Sequence, residues 1–275
     1  MNENFSNKGY YIVRNALRPR LLLEIQKNTL SYIKNKKKTN EKNNYTSFSK
    51  AIDNLKIKEF DFIKPIFEKL FLSGMLDKIL LEKKLFKNLS SLLGRDLSYA
   101  YDVSMTLNRK TKPNENYFFK DWHQEIWSGA SISSVQMWTP LFQKNNLKGQ
   151  MELIVGSHRW GHIPHKNRKP IFLPSKYKTI KLNLKYGDVI LFSSLLLHRS
   201  AKTDFPRLAL SLLIKNFKYK NESFEENRNW KIFSISQLTK IQRYLGNHYL
   251  SPYRLLDIGD KNNINSGILP TKNVK

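Results

Sequence analysis

The apolar pattern of this chain changes period near residue 99, and that change limits its fold more than any other feature. Downstream, YAYDVSMTL (99–107), SISSVQMWTPL (131–141), GQMELIVG (149–156), IKLNL (180–184), GDVILFSSLLLH (187–198) and RLALSLLI (207–214) are short, rich in β-branched and aromatic residues, and alternate along the chain. Turn-forming stretches separate them: KPNEN, KNNLKG, GSHRWGHIPHKNRKP, KYGD and SAKTDFP. Strands that follow one another without intervening helices predict an antiparallel sandwich or barrel.

Upstream the spacing is helical. YYIV after Gly9 reads as a short strand, and Pro19 stands where a first helical turn tolerates it. Leu22, Ile25, Tyr32 and Ile33 continue that helix until a lysine run ends it. A second helical stretch covers about 50–95, with Ile63, Phe67, Leu70 and Phe71 on one face and Gly74 and Gly94 as breaks. After about 218 helix returns, capped by Ser236, carrying Leu238, Ile241 and Leu245 on one face and stopped by Gly246. No linker divides these parts. The reading is one domain over 1–275: a helical N-terminal part (1–98), a β core (99–217) and a helical C-terminal part (218–275).

Composition removes several classes of function. With 40% hydrophobic and 12% aromatic residues the chain is globular, and with no cysteine it has no disulfide, thiolate metal site or cysteine nucleophile. The start, NENFSNKGYY, lacks a signal core, and no apolar run approaches a membrane span, so a soluble cytoplasmic protein is expected. The formal net charge of +26 raises nucleic acid as a partner. Lysines supply 36 of the 48 basic residues and run from Lys8 to Lys275, and the densest cluster, KNKKKTNEKNN, has no interleaved aromatic to stack on bases. That favours a solvated basic surface over a nucleic-acid interface, and it is compatible with an anionic substrate. GxSxG, HExxH and Gly-rich phosphate loops are absent, which leaves hydrolase, zinc-protease and kinase readings without support.

The chemistry concentrates in DWHQEIWSG (121–129). In an extended segment His123 and Glu125 share one face and Gln124 takes the other, so an imidazole nitrogen and a carboxylate oxygen can converge on one ion. The third donor is His198, at the end of GDVILFSSLLLH, where inward parity runs Ile190, Phe192, Ser194, Leu196, His198. Two histidines and a carboxylate make a facial triad that leaves positions open on a metal. On the next strand Arg207 shares parity with Ala209, Ser211 and Leu213, while Leu208, Leu210, Leu212 and Ile214 face the other way. An inward arginine calls for an anion, which a bidentate carboxylate would supply. Gln136 has the parity of Trp138 and is a candidate substrate contact. An HxE pair alone is weak, whereas the ordered set of HxE, strands, GD turn, His and Arg is specific.

With those residues in hand, the sequence resembles the phytanoyl-CoA dioxygenase family of iron(II)- and 2-oxoglutarate-dependent oxygenases. The resemblance rests on DWHQEIW, MWTPLF, GQMELIVGSH, GDVILFSSLLLHRS, PRLALSL and the entry NKGYYIVRNAL, and covers roughly 8–217. It implies a double-stranded β-helix, a jelly roll of the cupin-like kind, mainly β with flanking α and wrapped by helices from both ends. It further implies His123, Glu125 and His198 as Fe(II) ligands, Arg207 against the distal carboxylate of 2-oxoglutarate, and Trp138 and Ser200 beside that cosubstrate. The activity implied is hydroxylation of a small-molecule substrate with O2, releasing succinate and CO2. Two departures stand out: the carboxylate ligand is more often Asp in the family, and Arg207 follows His198 by only nine residues. The carboxylate argues against the halogenating relatives. Two alternatives remain, a non-catalytic basic binding protein on the same fold and a metal-dependent cupin-type isomerase that does not use 2-oxoglutarate. His158, His162 and His165 read as members of a loop at the barrel mouth with structural hydrogen bonds, His248 as a surface residue, and Trp122 and Trp127 as packing. Substrate identity and oligomeric state are not legible in the sequence.

Overall fold

The structure is a computed structural model that describes residues 2–37, 48, 59–100, 105–108, 121–142, 151–167, 169–201, 207–218, 230–234, 237 and 241. Helix α1 (Asn2–Lys8) leads into strand β1 (Tyr10–Val13), and α2 (Pro19–Lys37) starts at the expected proline. Helices α3 (Glu59–Leu72), α4 (Met75–Leu80) and α5 (Lys83–Leu93) follow, with Gly74 and Gly94 at the breaks. Beyond them lie β2 (Asp96–Ala100), β3 (Met105–Asn108), β4 (Val135–Phe142), β5 (Met151–Ile154), β6 (His165–Lys166), β7 (Lys169–Pro170), β8 (Thr179–Lys181), β9 (Val189–Ser193), β10 (His198–Ser200), β11 (Arg207–Asn216) and β12 (Trp230–Ser234). No helix among the described residues is long and apolar enough to cross a membrane.

The strands form a larger sheet in the order β1-β9-β4-β11-β2-β12, with β3 also on β11, and a smaller one in the order β10-β5-β8. Pairing is antiparallel throughout both sheets. Alternation assigns each residue of the larger sheet to one of two layers. Met137, Leu191, Leu208, Leu210, Leu212 and Ile214 pack in one cluster with helical residues such as Ile25, Phe67, Leu76 and Leu85. The opposite parity, Trp138, Ile190, Phe192 and Ala209, packs with Leu153, Leu182 and Leu184 from the smaller sheet and its flank. The helices therefore cover the outer face of the larger sheet, and the interior lies between the two sheets. This is the jelly roll, with helices against one side.

Three elements differ from the expectation. GDVILFSSLLLH is not one strand: β9 ends at Ser193, and His198 opens β10 in the other sheet instead of closing a strand. The chain turns between them because the Leu196 N–H returns to the Ser193 carbonyl (2.9 Å) and Ser194 donates its hydroxyl to the Ser131 carbonyl (2.8 Å). YAYDVSMTL is divided into β2 and β3, both on β11, with 101–104 outside the described residues. In the C-terminal part, expected to be helical, Trp230–Ser234 is a strand that pairs with β2 from Trp230↔Ala100 to Ser234↔Asp96, where it satisfies edge groups of β2 that would otherwise lack a partner strand. Gln237 and Ile241 are helical, and Ser236, Leu238, Leu245 and Gly246 lie outside the described residues.

The KYGD turn before β9 ties the N-terminal segment to the sheet. The Gly187 carbonyl accepts from Ala16 (2.6 Å) and Leu17 (2.9 Å), and at φ +89° a Cβ on Gly187 would sit 2.9 Å from the Leu17 oxygen, so this close approach needs glycine. The buried Asp188 carboxylate accepts from Asn15 N–H (2.8 Å), Arg14 Nη1 (2.6 Å) and Lys185 N–H (3.0 Å). Burial alone would raise its pKa, but these bonds outweigh it and hold the group below the usual carboxylate value. The stabilisation is therefore present above the ordinary carboxylate range and is lost as pH falls through the folded value. Asp188→Asn should unfold with about 1–2 kcal/mol less stability at neutral pH; the gap between denaturant melts of the two proteins should begin to narrow as pH falls below about 4 and close only below the depressed folded value.

Candidate metal centre

His123 is held by a two-hydrogen-bond bridge outside any longer strand. Its N–H donates to the His198 carbonyl (3.0 Å), and the His198 N–H donates back to the His123 carbonyl (3.1 Å). This places His123 at the free edge of β10, so the smaller sheet carries both histidines side by side. Gln124 stays extended (φ −111°, ψ 143°), which sends its side chain away from theirs. The backbone then tightens into a single 3-10 turn, Glu125–Ser128, closed by Gly129 at φ 85°. The expected alternation thus holds across 123–125, but Glu125 is presented by the first residue of a turn, not by a strand.

The three side chains meet. One donor atom from each of His123, Glu125 and His198 can be chosen so that all lie within 4.8 Å of one another, and the two imidazole centroids are 4.2 Å apart. Both histidines are buried, and the Glu125 side chain is 17% exposed. Each Nδ1 lies against a backbone carbonyl, His123 against Asp121 (2.9 Å) and His198 against Leu196 (3.0 Å). A carbonyl can only accept, so both rings carry the proton on Nδ1 and direct Nε2 inward. His198 Nε2 lies 3.2 Å from Glu125 Oε1. Two electron-rich atoms at that distance require a cation, either a proton or a metal ion, and two neutral imidazoles with a carboxylate suit a divalent first-row metal.

The other predicted residues distribute around this cluster. Arg207 is buried at the start of β11 on the interior face, its guanidinium carbon 5.0 Å from the ring centroid of buried Trp138. Gln136 is buried on β4 and donates to the Ser211 hydroxyl, so part of its amide is occupied by the sheet itself. Ser200 is half-buried on β10 with the parity of His198, while Arg199 between them faces outward, bonding Glu152 (2.7 Å) and lying over Trp122 (4.4 Å). His158, His162 and His165 stay apart from the metal cluster. His158 lies within hydrogen-bond distance of the Ser6 carbonyl (2.9 Å), and His165 stacks on Trp127 (4.4 Å between centroids). His248 lies outside the described residues.

These features acquire a family when the chain is compared with known proteins. The model of the phytanoyl-CoA dioxygenase (PhyH) family matches residues 5–209. The chain belongs to this family. It is thereby a member of the iron- and 2-oxoglutarate-dependent oxygenase superfamily. Among solved structures it is similar to a non-heme monooxygenase, ThoJ in its apo form, at 16% identity and TM-score 0.57, covering 83% of this chain and 82% of that one. It is also similar to EctD from S. alaskensis with bound Fe, at 18% identity and TM-score 0.52, covering 82% and 79%. At such identities the likeness is one of fold. No curated protein matches the chain by sequence.

Gln124 is the functional residue that sequence reasoning passed over, although its place between two donors and its opposite parity were both visible. This phytanoyl-CoA dioxygenase relative buries it fully. Its amide donates to the carbonyls of Gly161 (2.9 Å) and Leu195 (2.6 Å) and accepts from Ile163 N–H (2.9 Å). One side chain thus ties the His123–Glu125 motif to the 161–163 loop and to Leu195, three residues before His198. Gln124→Leu strands these three backbone groups and should cost about 2–4 kcal/mol, measured as a fall in denaturation midpoint, together with weaker metal binding in calorimetry.

Proposed function

We propose that this chain is an Fe(II)- and 2-oxoglutarate-dependent dioxygenase that hydroxylates a small-molecule substrate and releases succinate and CO2. The observation that carries the proposal is the convergence of His123, Glu125 and His198, with both imidazoles oriented by backbone carbonyls and Nε2 of His198 directed at a carboxylate oxygen. Those three residues would hold the metal. Glutamate, one methylene longer than the family's usual aspartate, still brings a hard oxygen within reach, so the donor set fits iron(II). Bound iron supplies a centre at which dioxygen is reduced with electrons from 2-oxoglutarate and a substrate C–H bond is oxidised.

The chain's own residues do the rest. Arg207, on the interior face beside Trp138, would neutralise the far carboxylate of the cosubstrate, and the Trp138 ring beside it limits where that carboxylate can lie. Ser200, one alternation beyond His198 on β10, would donate a hydroxyl proton to the same molecule. The apolar interior of Phe192, Leu153 and Leu196 keeps bulk water from the reacting groups. Gln136 is a candidate contact for the substrate, through whatever part of its amide Ser211 leaves available. The EctD structure with bound Fe on the same fold supports the metal assignment.

Anaerobic addition of iron(II) and 2-oxoglutarate to the apo-protein should produce the visible charge-transfer band of the chelated cosubstrate, and His123→Ala should abolish it. Metal binding without any band would exclude the cosubstrate and favour a cupin-type isomerase. Arg207→Ala should keep iron binding but weaken 2-oxoglutarate by roughly 30-fold or more, because a buried charge partner worth about 2–5 kcal/mol is removed. Titration of the band with 2-oxoglutarate reads that change directly.

A further inference from the structure

Residues 153–187 contain eight Lys or Arg and no Asp or Glu. Within this stretch β6 and β7 form a hairpin, and immediately after it Ile171 and Phe172 stand 65% and 58% exposed. Two consecutive large apolar residues both facing water are not explained by strand alternation, which would turn one of them inward. Nor is the backbone loose at this point: the Ile171 N–H donates to the Pro164 carbonyl (2.9 Å), and Leu173 packs onto the cluster of Ile126, Trp127, Ile154, Ile163 and Leu197. The tip is held outward by an ordered support. Lys166, Lys169, Lys176 and Lys178 flank it and are all exposed, and Lys169 pairs with Asp121 at 3.0 Å.

The same segment is fastened to the metal motif. Gln124, between His123 and Glu125, bonds Gly161 and Ile163, and Trp127 stacks on His165. An exposed apolar tip, surrounded by lysines and rigidly attached beside the candidate centre, has the chemistry of an interfacial anchor: apolar side chains enter the boundary between headgroups and acyl chains while ammonium groups meet phosphates.

We propose that the 159–178 segment docks this protein on an anionic phospholipid surface, with Ile171 and Phe172 entering the interface. Because Gln124 and Trp127 fasten this segment to the His123–Glu125 motif, docking would hold that motif near the bilayer surface. The proposal does not depend on iron or 2-oxoglutarate, and its test contains neither, so it stands or falls separately from the oxygenase reading.

The cysteine-free chain allows a single reporter. A thiol-reactive, polarity-sensitive fluorophore is attached at Phe172→Cys, and in a control protein at Leu72→Cys, which is 82% exposed at the end of α3. Each is mixed with vesicles of phosphatidylcholine alone and of phosphatidylcholine with phosphatidylglycerol. The expected result is a blue shift and protection from aqueous iodide at 172 on the phosphatidylglycerol vesicles only, with neither change at 72. The unlabelled double variant Ile171→Ser/Phe172→Ser, which keeps every charge, should lose about tenfold in vesicle affinity at raised salt. Equal responses at 172 and 72, sedimentation with vesicles while the 172 label stays in water, or a response to single-stranded RNA and not to vesicles would each overturn the proposal.

Discussion

Two backbone hydrogen bonds between His123 and His198 are the constraint on which the rest of this structure depends. They join residues 75 positions apart and, by setting them opposite each other, put both imidazoles on one side of the smaller sheet. Glu125 reaches the same point because Gln124 is extended and the next turn is tight. Closing so long a loop for two hydrogen bonds is unfavourable by itself. It is sustained by the strands folded between the histidines, above all β5, which pairs with β10 through Leu153 opposite His198. The donor set therefore exists only in the folded chain, and metal affinity and folding are coupled properties of this protein.

The larger sheet solves a different problem. Its outer face is largely apolar and is buried under helices, and this layer supplies much of the driving force for folding. Its inner face therefore does not have to be uniformly apolar. Arg207, Gln136 and Ser211 lie on that face with Trp138 and Ala209, and the cation over the Trp138 ring offsets part of the desolvation of the guanidinium. Separating the two faces by a single alternation is what allows one strand, β11, to serve the core with Leu208, Leu210 and Leu212 and the interior with Arg207.

Much of this was legible in the sequence because it is local. The parity of β11, the entry of α2 at Pro19, the glycine breaks and the shared face of His123 and Glu125 all follow from one or two residues acting on their neighbours. The passage from β9 to β10 was not legible. FSSLLLH carries no Gly or Pro to mark a turn, and its alternation continues smoothly through a point where the chain leaves one sheet for the other. The turn is set by Ser131 accepting from Ser194, a contact across 63 residues. Trp230–Ser234 was hidden for a related reason: its partner is the edge of β2, and a five-residue segment acquires strand identity from the edge it completes.

The sequence by itself determined the class of fold, the two-faced strands and the donor types, because periodicity and side-chain chemistry are properties of residues taken a few at a time. It also determined the charge of the segment that borders the metal motif. Tertiary structure alone decided that His123 and His198 share a bridge, that Gln124 ties the 161–163 loop and Leu195 to the motif, and that Ile171 and Phe172 remain outside. Each of these depends on which distant backbone groups are near enough to accept a hydrogen bond or exclude water, and such distances come into being only when the two sheets close on each other.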